Sequence, residues 1–174
     1  MTIRELTSDD LDPLAAFFAA QSERDLTFIR EGAHDRAHHW LREVDQPRFI
    51  AIDGDVIIGY SAVERLSGWS RHVGELRLVV DPTRRGAGIG RVLAQKALST
   101  AVNAGVRKVV VELAVEQQNA ISMFSGLGFT GEALLRDHIR DGDGQLHDLV
   151  VLAHLVEESW STLDAVGLAD AIMP

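Results

Sequence analysis

Arg84, Arg85, Gly86, Gly88, Gly90 and Arg91 stand within one run of eight residues, and together they could hold an anion. Glycines at alternate positions let backbone N–H groups converge on one point with no Cβ in the way. The arginines bring full charge to the same place. A helix opening near Gly88 adds unpaired N–H groups and the positive end of its dipole. The group that suits such a cradle is a pyrophosphate. Two common phosphate motifs do not fit. A Walker loop requires Gly-Lys-Ser/Thr, where this chain has Ile89-Gly90-Arg91. A dinucleotide fingerprint counted from Gly86 needs glycine where Arg91 stands. A second constellation, His34 and His38 at i, i+4 spacing, has the form of a helical zinc pair. No third ligand accompanies it, and histidines on the solvent side of an amphipathic helix account for it, so no metal is expected.

The elements that must position the cradle can be read on either side of it. Val73 to Val80 alternates into an apolar strand, and Asp81-Pro82 turns the chain. Gly88 to Ala104 reads as a helix with an apolar stripe of Ile89, Val92, Leu93, Ala97 and Ala101, closed by Gly105. Upstream, Thr2 to Leu6 is a short strand, and Ser8-Asp9-Asp10 caps a helix reaching about Gln21. A second helix is expected from about Ala33 to Val44, ended by Pro47. Arg48–Ile52 and Val56–Leu66 are strands joined by an Asp53-Gly54-Asp55 hairpin turn. Downstream, Val106 to Leu113 carries Val109-Val110-Val111, the mark of a strand buried on both faces. A short helix from Asn119 to Ser125 and two long strands, Phe129–Arg140 and Leu146–Leu155, follow. The tail from Ser159 to Pro174 could form one more helix, covering a sheet edge or making a homodimer. The order β-α-α-β-β-β-α-β-α-β-β predicts an α/β (α+β) fold, a mixed sheet with helices on both faces.

The run Arg85-Gly86-Ala87-Gly88-Ile89-Gly90 resembles the acetyl-CoA loop of the GNAT superfamily of N-acetyltransferases, Gln/Arg-x-x-Gly-x-Gly/Ala between a strand and a helix. A second signature of that family, Ala-Ile-x-Leu/Met-Tyr-x-x-x-Gly-Phe, is matched from Ala120 to Phe129. The order of elements is also the family's, from about Thr2 to Leu155. The resemblance implies a GNAT-like, mostly antiparallel central sheet in a domain of residues 1–155, with 156–174 as a tail on it. It implies acetyl-CoA as cosubstrate. The pyrophosphate would lie on the backbone from Arg85 through Gly86, Ala87, Gly88, Ile89 and Gly90 to Arg91. Leu78 and Val80 would pair through their main chain with the pantetheine, and a backbone N–H around Leu78, Val79 and Val80 would face the thioester oxygen. Glu75 is the expected base for the acceptor amine, because related enzymes carry Glu in this part of the strand; Glu64 is the second choice.

Two departures from the family pattern stand out. Gln117 occupies the place of the usual Asn, with Asn119 close by as a substitute. Phe124 stands where many members have the Tyr that protonates the departing thiolate, and Phe cannot donate a proton. Water, Ser122, Ser125, His138 or Tyr60 (the chain's one Tyr) would have to take that role. The stretch from Gly131-Glu132 to His138, with Asp148 beyond the turn, resembles members that acetylate protein amines. Trp69 and His72 flank a loop where the family often builds its acceptor pocket.

Composition narrows the classes. A chain of 174 residues with 46% hydrophobic and 25% charged residues suits one globular domain. It has no cysteine, which excludes disulfides, thiolate metal sites and Cys nucleophiles. No apolar run approaches the ~20 residues of a membrane span, and the first residues lack the basic and apolar regions of a signal peptide, so a cytoplasmic protein is expected. A net charge of −9 argues against nucleic acid as partner and suits cationic substrates. The expected partner is therefore an amine, either a small molecule or a protein lysine or N-terminus. Two other readings of the same fold are a non-catalytic acyl-CoA-binding or regulatory module and an acyltransferase using a longer acyl-CoA.

Overall fold

The computed structural model describes residues 1–22, 25 and 47–156. Its strands are β1 (Thr2–Glu5), β2 (Arg48–Asp53), β3 (Val56–Arg65), β4 (Val73–Val80), β5 (Lys108–Ala114), β6 (Thr130–Arg140) and β7 (Leu146–Leu155). They form one seven-stranded sheet in the order β1-β2-β3-β4-β5-β7-β6. Every neighbouring pair is antiparallel except β4 and β5. The described α-helices are α1 (Leu11–Ala19), α2 (Ile89–Asn103) and α3 (Gln118–Ser125).

Strand alternation sends successive side chains to opposite faces. Phe49, Val63, Leu76, Val109 and Leu152 point to one face and pack with Leu93 and Leu98 of α2 and Phe124 of α3. Ile50, Tyr60, Ala62 and Val79 point to the other and pack under Leu14, Phe17 and Phe18 of α1. Helices therefore cover both faces, as the element order predicts. Full burial of a side chain such as Leu14 or Leu93, both at 0% exposure, contributes about 1.5–3 kcal/mol.

The structure corrects three local expectations. Ser8–Asp10 is a 3₁₀ turn and not the opening of the helix, which begins at Leu11. The cause is Asp10: its carboxylate takes two hydrogen bonds from Arg4 at 2.6 Å and two from the N–H and hydroxyl of Thr7 at 2.8 Å. Arg4 holds that carboxyl well below the usual carboxylate range. In α2, Val92 is 44% exposed, and the buried stripe runs through Ile89, Leu93, Ala97 and Ala101 with Ala94 and Leu98. This is the i, i+4 row with its flank, and Val92 lies off it. In β5, Val109 and Val111 are buried but Val110 is only half-buried, so the strand is fully buried on one face and not on both. The helix expected from Ala33 to Val44 and the tail from Ser159 lie outside the described residues.

Candidate functional site

A cleft opens where β4 and β5 part. The two strands pair at only three positions, Val73↔Lys108, Gly74↔Val109 and Glu75↔Val110. Beyond them β4 stays with β3 as far as Val80, and β5 stays with β7 as far as Ala114. The gap between them is a cleft of about 1190 Å³. Its β4 wall carries main-chain groups that β3 does not use. Leu66 N–H donates to Val73 O at 2.9 Å and Asp81 N–H to Ile58 O at 3.0 Å, so the odd-numbered residues of β4 bond to β3. In an antiparallel ladder the alternate residues then turn their N–H and C=O away, which puts those of Leu78 and Val80 toward the cleft. Arg85 Nε–H already reaches Val80 O at 3.3 Å.

The loop above the cleft is shaped by local chemistry. Asp81 accepts from the N–H and hydroxyl of Thr83 at 2.8 and 2.7 Å, which fixes a 3₁₀ turn over Pro82–Arg84. Gly86 and Gly88 follow with φ of 81° and 80°, left-handed values that L side chains rarely adopt. Gly88 is the N-cap of α2, and the first helical bond runs from Val92 N–H to Gly88 O at 3.2 Å. The N–H groups of Ile89, Gly90 and Arg91 therefore have no acceptor within the helix. The arginines are held around this point. Arg84 pairs with Asp53 at 3.1 Å, Arg85 with Asp25 at 2.6 Å, and Arg91 donates to Gly126 O at 3.3 Å. These groups fit a pyrophosphate in number, charge and direction, and a pantetheine arm fits the β4 wall below them.

The model of the Acetyltransferase (GNAT) family matches residues 14–129, more than half of the chain. The chain belongs to the GNAT acetyltransferase family. An uncharacterized N-acetyltransferase of Methanocaldococcus jannaschii is 31% identical over an alignment 148 residues long, which covers 80% of this chain and 65% of that relative, so this chain spans less than two thirds of its length. Among solved structures, the ribosomal-protein-alanine N-acetyltransferase of Brucella melitensis superposes with a TM-score of 0.80 at 24% identity, covering 89% of this chain and 99% of that one. The spermidine N-acetyltransferase of Vibrio cholerae, solved with CoA and spermine, gives 0.75 at 19% identity over 90% and 95% of the two chains. At these identities the likeness shows the GNAT fold.

Most residues expected from the GNAT resemblance come together here. Leu78, Val79 and Val80 line the cleft on the β4 side. Arg85, Gly86, Gly88, Ile89, Gly90 and Arg91 line it at the loop, and Ala87 does not. Gln117, Asn119 and Phe124 line the far side, from α3 and the turn before it. Gln117 turns back to accept the Ala114 N–H at 2.9 Å, so the longer side chain closes the end of β5. Phe124 is 1% exposed and packs edge-on against Phe129 with ring centroids 5.2 Å apart. Of the alternative proton donors, Ser122 and Tyr60 line the cleft, whereas Ser125 and His138 do not. Tyr60 accepts from Arg48 Nη1 at 2.8 Å, and burial pushes its phenol up to about 12. Trp69 and His72 are not brought to the cleft, and Trp69 is 96% exposed on the turn before β4.

On the α1 face the cleft has a floor of charged groups. Glu75 lines it; Glu64, directly opposite on β3, does not. Sequence reasoning missed Arg77, Glu112 and Glu116, which also line it. Glu112 was findable: Val109, Val111 and Leu113 form the core row of β5, so Glu112 must face the other way, on the side of Glu75. Glu116 holds His147 Nδ1 at 2.9 Å, and Asp141 holds Nε2 at 3.0 Å. Both carboxylates, Asp141 foremost, raise the proton affinity of His147 above that of an ordinary histidine. Among the described residues there is no group of three or more metal-ligating side chains, and His34 and His38 lie outside them. No described helix is long and apolar enough to cross a membrane.

Proposed function

We propose that this protein transfers an acetyl group from acetyl-CoA to a primary amine, on a small molecule or on a protein. The observation that carries the reading is the parting of β4 from β5 directly below a glycine-rich, arginine-flanked helix N-terminus. One end of such a site holds a diphosphate, and the exposed main chain of Leu78 and Val80 holds an amide-bearing arm. The acetyl thioester supplies the activated acyl group. The chain's own part is positioning and proton handling. The N–H groups from Arg85 to Arg91, with the guanidiniums of Arg85 and Arg91, bind the diphosphate. A main-chain N–H of the β4 wall polarises the acyl oxygen. Glu75 takes the proton of the attacking amine, directly or through water. A lysine-like amine has a pKa of about 10.4, so attack requires that loss.

Phe124 gives the departing thiolate no acid, and this favours one rival reading, a module that binds acyl-CoA without turning it over. A thiol with a pKa of about 8–9 leaves tolerably without strong acid assistance, so the loss does not exclude catalysis. Calorimetric titration with CoA, followed by thiol release from acetyl-CoA with a panel of polyamines, amino acids and lysine peptides, separates the two. Turnover on any acceptor supports the transferase. Tight CoA binding with no turnover on any of them supports the module. A series of acyl-CoA chain lengths shows whether acetyl is the preferred group.

A further inference from the structure

We propose that Glu64 is a positioning residue for Glu75, acting through Arg77, which the two carboxylates share. β3 and β4 put Glu64 directly opposite Glu75 and Ala62 directly opposite Arg77. All lie on the face covered by α1. Arg77 Nη2 stands 3.3 Å from Glu64 Oε2, and Arg77 Nε stands 3.6 Å from Glu75 Oε1. Behind Glu64, the buried Arg48 places Nη1 3.3 Å from Oε1 and 2.8 Å from the Tyr60 hydroxyl. The result is a row, Arg48–Glu64–Arg77–Glu75, in which cations and anions alternate.

Like charges directly opposite on antiparallel strands repel each other, and Arg77 is what lets the two glutamates stand there. The same sharing limits what Arg77 does to Glu75. A guanidinium given wholly to one carboxylate lowers its proton affinity, and a second carboxylate beside it raises it again. Glu64 therefore keeps Glu75 more basic than an Arg77–Glu75 pair alone would be. The other charged or titratable groups facing Glu75 among the described residues are Arg48 from β2, Tyr60 from β3 and Glu112 from β5; α1 presents Leu14, Phe17 and Phe18. Arg48 is tied to Glu64 and Tyr60, and among the described residues Arg77 is the cation in ion-pair range of Glu75.

The catalytic meaning of this coupling rests on Glu75 as the base. A test that reads the coupling without an acceptor is a carbon-13 NMR titration of the glutamate carboxyls, with the Glu75 signal identified by its absence in Glu75→Gln. Glu64→Gln is expected to lower the Glu75 midpoint by about one pH unit, and Arg77→Gln to raise it by a similar amount. Glu64→Asp, which keeps the charge, should leave it within a few tenths of the native value. The acid limb of kcat/KM, measured on any amine that turns over, should move with the midpoint. A Glu75 midpoint unchanged in both Glu64→Gln and Arg77→Gln overturns the proposal. Where the midpoint moves but Glu75→Gln keeps the full rate, the coupling stands and the base assignment falls.

Discussion

The two sides of the sheet meet at the cleft with different materials. On the α2 face the site is made of main chain: the N–H groups of one loop, one helix end and one strand edge. On the α1 face it is lined by the side chains of Tyr60, Glu75, Arg77 and Glu112, with Arg48 and Glu64 behind them, drawn from four strands. Main-chain recognition depends on backbone geometry within a single run of residues. Side-chain recognition depends on register between runs far apart in the chain. The main-chain part of the cleft is accordingly built from consecutive residues, and the side-chain part from residues up to 64 positions apart, Arg48 to Glu112.

This contrast can be broken one side at a time. The largest effect is expected from Gly88→Gln. At φ 80° a side chain costs about 1–2 kcal/mol, which a folded domain tolerates, and no atom lies within 4 Å of the added Cβ. The new side chain stands in the cradle instead. CoA binding, measured by calorimetry, should be lost while circular dichroism stays native; unchanged affinity would sink the loop assignment. Next comes Glu75→Gln, which should lower kcat by about a hundredfold or more while leaving CoA affinity native. An equal loss of CoA affinity would mean that the two sides are not separable as described.

A smaller effect is expected from Phe124→Tyr. The ring is packed on Phe129 and already lines the cleft, so the added hydroxyl should leave kcat unchanged or raise it by a few-fold. A large fall would show that Phe124 shapes the pocket. The smallest effects concern stability and distinguish two histidines of β7. His154 is fully buried against Phe129 with neither ring nitrogen hydrogen-bonded, and burial pushes its proton affinity below that of an ordinary histidine. Because that affinity is lower in the folded chain than in the unfolded one, its contribution is present above about pH 6.5 and is lost as pH falls below that value. His147 has its proton affinity raised, so its contribution is present below about pH 6.5 and fades as pH rises through its folded pKa. Urea midpoints measured from pH 5 to 8 should therefore fall less steeply toward acid in His154→Phe than in the native chain. His147→Gln should lose stability at the acid end only. Parallel curves for all three proteins would refute the assignment.

How much of this was legible follows from the same contrast. The glycine loop, the strand before it and Ala120–Phe129 could be read directly, because each is a local pattern with a local cause. The mixed, mostly antiparallel sheet with helices on both faces followed from the element order and the family resemblance. Arg77 and Glu112 were not read as site residues: alternation gives the face each takes, but only pairing between strands puts that face at the cleft. Their meaning comes from Glu64 facing Glu75 and from Val110 pairing with Glu75. Trp69 is the opposite case: a conspicuous residue near a motif in sequence that stands exposed on the turn Gly68–Ser70 and does not line the cleft.

The three-pair contact between β4 and β5 has a mechanical consequence. It joins two panels, one of four strands (β1 to β4) and one of three (β5, β7, β6). α2 packs on β2, β3 and β4, so the anion cradle travels with the larger panel, while α3 leaves from the end of the smaller one. Any change in the angle between the panels turns about Val73–Glu75 and Lys108–Val110. A small rotation at this hinge is amplified at the mouth, several residues away. Val63 and Val106, packed around Gly74, sit at this join between the two panels.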